Sequence, residues 1–414
     1  MMKLYSYDEA LDIILTHQRP TATTSVAVAH AAGLVLAEDV ISQIHIPPFD
    51  NSAMDGFALK AADVSSASEN QPVSLNVLGV IAAGDAPIME PLQSGACYQI
   101  MTGAAVPAGA DVIIPVELSD LQGERVSFQA PYELGKHIRK VGTDFKKGDV
   151  LFKAGQKITA QMIPALCSVG LTTVKVYEKP SVVWLSTGEE LTDHAGESLQ
   201  PGKIFNTSGP YGEEVMPAFG ADLKWRRTIP DDLDLFRQSL VQAAEQDIDV
   251  IISTGAVSVG MFDFVRNELE AAGWDILLHR ARVKPGKPIL FAKFSQEGKK
   301  DRFFFGLPGN PVSSAMGLRI FVSPFLRAMQ TLPKEVPQAA RLTDTARAAE
   351  GLTVFMKAVS HVSDGGQIQV TPLDAQQSYQ VGAMGAMNCW LIHPEGQAQL
   401  DAGSTVFCLP FLPV

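Results

Sequence analysis

The chain has 414 residues, 46% of them hydrophobic, and a formal net charge of −12 at pH 7. This length predicts roughly two to four domains, each with enough apolar residues for a globular core. The acidic balance, without a Lys/Arg-rich block, argues against a nucleic-acid-binding or membrane-binding surface. No run approaches the roughly 18 apolar residues of a membrane helix, and the N-terminus turns acidic too early for a signal peptide, so we expect a cytoplasmic protein.

The N-terminal part of the chain predicts one helix followed by a loop rich in turn formers. Ser6 and Glu9 have capping-box spacing ahead of an apolar helical pattern that ends before Pro20. Residues 45–59 then crowd prolines, aspartates and a glycine into an ordered loop. Its oxygen-bearing side chains serve either structural Asx-turns or function, and the sequence leaves both open: Asp50, Asn51, Ser52 and Asp55.

Residues 72–127 predict a compact β-rich module, because short strand-like runs alternate there with turn signals. One of these runs, residues 100–104, leads into a loop of small residues that suits the close approach of a ligand or another backbone. Residues 138–149 mix charges around glycines and predict a solvated hairpin.

From about residue 179 to 330, buried strand runs alternate with helical patterns, which predicts a parallel sheet with right-handed crossovers. Ligands of such sheets bind beyond the carboxyl ends of the strands. Four loops are therefore expected at one rim: STGEE at 186–190, STGAVSVGMFDF at 253–264, VKPGKP at 283–288 and GLPGNPVS at 306–313. After about residue 333 short strands predict a small β-barrel or sandwich.

The rim loops combine cations, hydroxyls and carboxylates. Lys284 and Lys287 stand three residues apart on a proline-stiffened loop, with Arg280 upstream, and predict an oxyanion site. Backbone N–H groups around Ser258, and Ser313 at the start of a helix, would add donors. Asp263 is either a helix cap or functional. Hard oxygens suited to Mg²⁺ are offered by Glu189, Glu190, Asp231, Asp232 and Asp263.

Cysteines and histidines offer no alternative metal site. The four cysteines stand singly, and none of the eight histidines has HxxxH or HExxH spacing. Buried, reduced thiols are the expected state of the cysteines. The predicted rim therefore combines cationic loops with carboxylates that could hold a cation. This combination is typical of sites that transfer a phosphoryl group or another oxyanion.

Six segments resemble, in order and spacing, the MoeA family of molybdopterin molybdenumtransferases, which is related to the C-terminal E domain of gephyrin. They are PPFDNSAMDGFAL, IMTGAAVPAGADVIIPVE, STGEEL, STGAVSVGMFDF, VKPGKP and GLPGNPVS. The resemblance implies a multidomain α/β plus β protein with a central α/β three-layer sandwich and a C-terminal β-barrel. The implied domains are an elongated N-terminal domain (1–46 and 145–178), an inserted β-rich domain (47–144), a molybdopterin-binding domain (179–330) and the barrel (335–414).

The resemblance also implies an activity. Members of the family insert molybdate into adenylated molybdopterin and release molybdenum cofactor and AMP, with Mg²⁺ assisting, as homodimers supplied by a molybdopterin adenylyltransferase. The matching catalytic positions are Asp55, Thr102, Glu190, Asp231 and Asp263, of which Glu190, Asp231 and Asp263 are the expected metal ligands. Substrate-binding positions, which include those indicated by the charges alone, are Lys284, Lys287, Ser313, Arg280, Ser258 and Asp144.

Some positions depart from the family pattern. Ala256 replaces a glycine, Asn206 an aspartate, and Leu352 and Lys357 stand where arginines are usual. Two other functions stay open beside molybdenum insertion: the preceding adenylyl transfer, and a non-catalytic molybdopterin-binding or scaffold role. The modules outside the α/β domain favour insertion.

Overall fold

The structure is a computed structural model that describes residues 4–193, 196, 198–255 and 262–413, without the side chains of 262–264. Helix α1 (Tyr7–Thr16) begins at Ser6, whose Oγ accepts from Glu9 N at 3.2 Å while the Glu9 carboxylate accepts from Ser6 N at 2.8 Å. The predicted capping box is therefore confirmed. Within these residues, no helix is long and apolar enough to cross a membrane.

Short strands dominate the N-terminal region after α1. They are, with one more helix, β1 (Thr23–Ala27), β2 (Val35–Leu36), β3 (Val40–Ile41), β4 (Asn51–Ser52), β5 (Gly56–Leu59), β6 (Val73–Ile81), β7 (Ala96–Ile100), β8 (Val112–Pro115), β9 (Asp120–Gln122), β10 (Arg125–Phe128), β11 (Ile138–Arg139), β12 (Val150–Phe152), α2 (Ile163–Ser168) and β13 (Thr173–Tyr177). A six-stranded sheet in the order β8-β5-β7-β6-β10-β9 confirms the predicted β-rich module. Strands that precede this sheet in the chain pair with strands that follow it, in the sheets β1-β13-β2 and β12-β3. The six-stranded sheet is therefore an insertion into the region that these strands form.

The central region alternates strands with helices. Its elements are β14 (Ser181–Thr187), β15 (Leu191–Thr192), β16 (Ile204–Phe205), α3 (Ser208–Val215), β17 (Asp222–Ile229), α4 (Leu233–Glu245), β18 (Val250–Thr254), α5 (Phe262–Ala271), β19 (Asp275–Arg280), β20 (Val283–Lys284), β21 (Pro288–Phe294), β22 (Arg302–Leu307), α6 (Pro311–Gly317) and α7 (Ser323–Met329). A π-helix over Leu318–Val322 joins α6 to α7. The main sheet has the order β17-β14-β18-β22-β21-β19.

Helices cover both faces of this sheet. On β14, Val182 and Trp184 belong to a core shared with α6 and α7, whereas Val183 and Leu185 belong to a second core shared with α4. Successive side chains of a strand point to opposite faces, so a strand buried on both sides is apolar throughout. The predicted three-layer α/β sandwich is confirmed.

One predicted strand direction is wrong. β14, β17, β18 and β22 run parallel, but β21 is antiparallel to β22. The connection between β21 and β22, residues 295–301, is too short for the crossover that parallel neighbours need. Because β21 is reversed, the loop before it lies at the carboxyl edge of the other strands. The loop with the two lysines therefore lies at the expected rim because it precedes a reversed strand, and not because it follows a parallel one.

The C-terminal region is a closed barrel. Its strands are β23 (Gln338–Leu342), β24 (Ala346–Arg347), β25 (Thr353–Val362), β26 (Ile368–Pro372), β27 (Cys389–His393), β28 (Gln399–Leu400) and β29 (Thr405–Pro410). Pairing runs β25-β26-β23-β29-β27 and returns to β25, which closes five strands into a ring and confirms the predicted barrel. β20 pairs in parallel with β25 and joins the barrel to the lysine loop of the central region.

Candidate active site

A cavity of 790 Å³ lies between the carboxyl edge of the central sheet and the barrel. This volume is in the range of sites that enclose a whole organic ligand, and far exceeds the space needed by one small oxyanion. The central region supplies residues of the predicted rim loops, among them Glu190, Lys284, Lys287 and Ser313. The barrel supplies the facing wall: Arg347, Ala348, Ala349, Leu352, Val354, Phe355, Met356, Gln376, Gln377 and Ser378.

Backbone from three neighbouring strands forms the floor of the cavity. A Cβ on Gly255, whose φ is +101°, would lie 2.0 Å from the main-chain oxygen of Thr187, and one on Gly309 would lie 3.0 Å from Gly255 Cα. Only glycine permits this approach, because a side chain at either position would displace the neighbouring loop. The hydroxyl of Thr187 donates to Thr254 O at 3.1 Å and fixes the first two loops together.

The lysine loop is held against the start of α6. Gly286 has φ +83°, and a Cβ there would lie 3.4 Å from both Cβ and the main-chain oxygen of Ser313. This contact brings Ser313, which comes much later in the sequence, to the same side of the cavity as Lys284 and Lys287. Both lysines are exposed, and neither has an ion-pair partner in the described part of the chain. Two cations and a hydroxyl with free donors make an arrangement that can bind an oxyanion.

An acidic group adjoins this cationic side. Glu190 lines the cavity, and its carboxylate lies over Gly188, where a Cβ would meet Oε2 at 2.6 Å. Burial, and then the charges of Glu190 and Glu189, raise the pKa of Asp231 above its usual value. These carboxyl groups therefore repel one another, which a divalent cation between them would relieve.

The predicted metal ligands are only partly described. Among the side chains that the structure describes, no three His, Cys, Asp or Glu residues form a group that could hold a metal ion. Asp263 is the second residue of α5, but its side chain lies outside the described residues, as does Ser258 altogether. A site formed by Glu190, Asp231 and Asp263 stays a prediction.

Asn206 is buried at the edge of the cavity with all its amide groups in use. Its Nδ2 donates to Asp193 Oδ1 at 3.1 Å and to Thr228 Oγ1 at 2.8 Å, and its Oδ1 accepts from Gly209 N at 3.0 Å. Arg226 Nη1 lies 3.6 Å from Asp193 Oδ1 on the other side. An amide fits this position because it donates to a carboxylate that an aspartate would repel.

Three predicted residues lie away from the cavity on the N-terminal region. Asp55 Oδ1 accepts from Thr102 N at 2.7 Å and from Thr102 Oγ1 at 2.8 Å. These two hydrogen bonds lower the pKa of Asp55, the backbone bond contributing most. Asp144 is exposed, and its N–H donates to Ile46 O at 2.9 Å. None of the three lines the cavity.

The residues that line the cavity differ from the predicted set in three places. Arg280, at the end of β19, is not among the cavity-lining residues, although Lys284 and Lys287 are. Sequence reasoning missed Arg347, which reaches the cavity from β24 and donates from Nε to Gln399 Oε1 at 2.8 Å. It also missed Ile204, which is 54% exposed beside the cavity. No local sequence signal marks either residue, because both face the cavity through tertiary packing.

Comparison with known families accounts for nearly the whole chain. The model described as "MoeA N-terminal region (domain I and II)" matches residues 5–170. The model "Probable molybdopterin binding domain" matches residues 183–328, and "MoeA C-terminal region (domain IV)" matches residues 339–411. The three matches follow the order of the N-terminal region, the central sheet and the barrel.

Full-length relatives agree with these matches. The molybdopterin molybdenumtransferase of Synechococcus elongatus is 33% identical over 405 residues, which cover 97% of this chain and 98% of that protein. The protein of the same name from Bacillus subtilis is 32% identical over 96% of this chain and 92% of its own length. The crystal structure of a molybdopterin biosynthesis moeA protein from Pyrococcus horikoshii OT3 superposes with a TM-score of 0.83 at 28% identity, covering 98% of this chain and 99% of the other. The chain therefore belongs to the MoeA family.

Proposed function

We propose that this chain is a molybdopterin molybdenumtransferase, which inserts molybdenum from molybdate into adenylated molybdopterin and releases AMP. The observation that carries the proposal is the 790 Å³ cavity in which Lys284, Lys287 and Ser313 share one side. Molybdate is a dianion, so it needs cationic and hydroxyl donors of this kind. The volume left beyond the lysines is suited to an organic co-substrate. The names of the full-length relatives support the same activity.

In this proposal the chain acts mainly by position and charge. Lys284 and Lys287 bind oxygens of molybdate, and the Ser313 hydroxyl donates to a third. Residues of the barrel form the remaining part of the cavity wall around the bound substrate. The dithiolene sulfurs that finally hold molybdenum belong to the substrate, so no protein thiol is required. Water or a molybdate oxygen attacks the adenylyl phosphorus and breaks its phosphoanhydride bond to the molybdopterin phosphate. Water releases AMP directly, whereas a molybdate oxygen forms a P–O–Mo bond that water must then hydrolyse to release AMP. The step needs alignment and charge neutralisation more than a protein nucleophile.

We further propose that Glu190, Asp231 and Asp263 hold Mg²⁺ beside this site. Burial, and then the nearby charges of Glu190 and Glu189, raise the pKa of Asp231, and a cation bound there would relieve the repulsion among these carboxylates. When bound, Mg²⁺ would neutralise charge on phosphate oxygens of the substrate. Of Glu190 and Asp231, whose side chains the structure describes, Glu190 lines the cavity and would hold the ion there.

The activity is tested with purified protein, adenylated molybdopterin and Mg²⁺, with or without molybdate. We expect AMP release that depends on molybdate, and we expect Lys287→Ala to need at least about tenfold more molybdate, since a charged hydrogen bond contributes about 1.5–3 kcal/mol. Lys299→Ala is the matched control, because Lys299 is equally cationic but lies exposed in the turn before β22. Binding of the substrate without AMP release would instead support a non-catalytic role. AMP release without any need for molybdate would contradict insertion.

We also propose a homodimer in which the partner subunit brings Asp55 and Thr102 to the cavity. The Asp55 carboxylate is held in place by Thr102, yet neither residue lines the cavity of its own chain. Mixing Asp55→Ala and Lys287→Ala proteins, at a molybdate concentration at which neither variant alone releases AMP, tests this arrangement. A twofold dimer would regain about a quarter of wild-type activity, because half of the dimers are mixed and each has one intact site. No recovery in dimers shown to be mixed would refute shared sites.

The remaining proposals concern the protein that supplies the substrate and the location of this chain in the cell. Adenylated molybdopterin must come from an adenylylation reaction, so a molybdopterin adenylyltransferase is the proposed donor. A cytoplasmic location is proposed because Cys97, Cys389 and Cys408 are buried free thiols, which suit a reducing compartment. Fractionation of cells that express the tagged chain would test the location, and pull-down with the adenylyltransferase would test the partner.

A further inference from the structure

Lys357 lies on β25 directly behind the barrel wall of the cavity, and only 1% of its surface is exposed. The two preceding residues, Phe355 and Met356, line the cavity. No carboxylate in the described part of the chain forms an ion pair with the ammonium, and burial lowers its pKa. A buried cation without a counter-charge is costly, so its hydrogen bonds should indicate its role.

Within the residues that the structure describes, the hydrogen bonds of Lys357 go to one segment, residues 373–377. Its main-chain N donates to Gln376 Oε1 at 3.0 Å, and its main-chain O accepts from Gln376 Nε2 at 2.9 Å and from Leu373 N at 2.9 Å. Its Nζ donates to the main-chain oxygen of Gln377 at 3.0 Å. Lys357 is therefore joined to this segment through both its backbone and its side chain.

That segment forms part of the cavity wall but belongs to no strand. Gln376, Gln377 and Ser378 line the cavity and lie between the end of β26 and the start of β27. Apart from the bonds to Lys357, the hydrogen bonds of these residues in the described chain are local, such as Gln377 N to Gln380 Oε1 at 2.9 Å. Besides the chain connection to β26, the hydrogen bonds that attach this wall to the barrel therefore go to Lys357 in the described part of the chain.

We propose that Lys357 is a positioning residue for the transfer reaction. Through Gln376 and the Gln377 carbonyl it sets the part of the cavity wall that is formed by Gln376, Gln377 and Ser378. The inference rests on the proposed function, because it assigns the wall to the same oxyanion site. If the wall helps to enclose the oxyanion, then by linkage a bound oxyanion stabilises the wall in return.

Hydrogen exchange of the full-length protein, followed by mass spectrometry with molybdate alone as the probe, tests the proposal. Lys357→Met keeps the apolar stem and removes the N–H donors. We expect amides of residues 374–380 to exchange about tenfold faster or more in this variant, since a hydrogen bond from a charged group contributes about 1.5–3 kcal/mol. We also expect molybdate affinity to fall about fivefold or more, and molybdate to slow exchange of the segment only in wild type.

Two further variants make the result specific. Gln377→Ala removes a side chain but keeps the main-chain oxygen that accepts from Lys357, so exchange of the segment should match wild type. Gln376→Ala removes the bridge from the other side and should act like Lys357→Met. If Lys357→Met does not fold, the exchange and the molybdate affinity of Gln376→Ala test the proposal instead.

Two results would overturn the proposal: unchanged exchange of 374–380 in the folded Lys357→Met or Gln376→Ala protein, or faster exchange with unchanged molybdate affinity. Neither readout needs turnover. A failure of AMP release would therefore refute the proposed function without being mistaken for a failure of this inference.

Discussion

Replacing Asn206 by aspartate tests how the edge of the cavity is built. In the native protein the Asn206 amide donates to Asp193 Oδ1 at 3.1 Å. The substitution exchanges this donor for a second carboxylate at nearly the same distance. The acceptor for Gly209 N is kept, so the change adds charge repulsion with little change of shape.

The size of the effect follows from this distance. Two unit charges 3.1 Å apart repel by about 5 kcal/mol at an effective dielectric constant of about 20. The Asp193 side chain is 38% exposed and Arg226 lies nearby, so screening reduces the net cost to about 1–2 kcal/mol. The new carboxyl would have its pKa raised in the folded protein relative to the unfolded chain. Its destabilisation is therefore largest above the raised pKa and decreases as pH falls through it.

Thermal unfolding followed by circular dichroism at pH 8 and pH 5 is the assay. For Asn206→Asp we expect a melting temperature lowered by about 2–8 °C relative to wild type at pH 8, and a smaller difference at pH 5. Asn206→Ala is the control, since it loses the two Nδ2 hydrogen bonds, and also the one from Gly209 N, without adding a charge, and its difference from wild type should be similar at both pH values. Equal destabilisation of Asn206→Asp at pH 5 and pH 8 would refute the repulsion.

Three more predictions follow from the site. Gly286→Ala places a Cβ 3.4 Å from Ser313 at a φ of +83°, which should cost about 1–2 kcal/mol of stability. We expect calorimetry to show weaker molybdate binding in this variant. Unchanged affinity would show that this loop does not form part of the oxyanion site. Burial, and then the neighbouring glutamates, raise the pKa of Asp231, so Mg²⁺ affinity should fall as pH drops through that raised pKa, and Asp231→Asn should remove this dependence. Equal pH dependence in the variant would exclude Asp231 as the titrating group. Gly255→Ala would place a Cβ 2.0 Å from Thr187 O, at a cost of about 3 kcal/mol. The melting temperature should therefore fall by several degrees. A wild-type melting curve would show that the loops of Thr187 and Gly255 do not contact each other as described.

Local chemistry was readable from the sequence. The capping box of Ser6 and Glu9 requires only side chains three residues apart, and it is present as predicted. The alternation of strands and helices in the central region also predicted the layered fold, because apolar runs on both faces of a strand imply cover on both faces.

Strand direction and long-range contacts were not readable in the same way. β21 is mostly apolar, like the parallel strands of the sheet, and its short connection to β22 is what distinguishes it. The barrel wall at Gln376 and Gln377 reaches the lysine loop across about ninety residues of sequence, and its attachment by Lys357 uses main-chain atoms that any residue offers. Such contacts depend on the closed barrel, which sequence periodicity does not define.

The most direct test of the account is the location of the oxyanion. Crystals of the wild-type protein soaked with molybdate, measured for anomalous scattering from molybdenum, would show its position without reference to catalysis. We predict one strong peak in the 790 Å³ cavity, within hydrogen-bonding distance of Lys284, Lys287 and Ser313. A peak that contacts none of these three side chains, or no peak in the cavity at molybdate concentrations that saturate binding in solution, would contradict it.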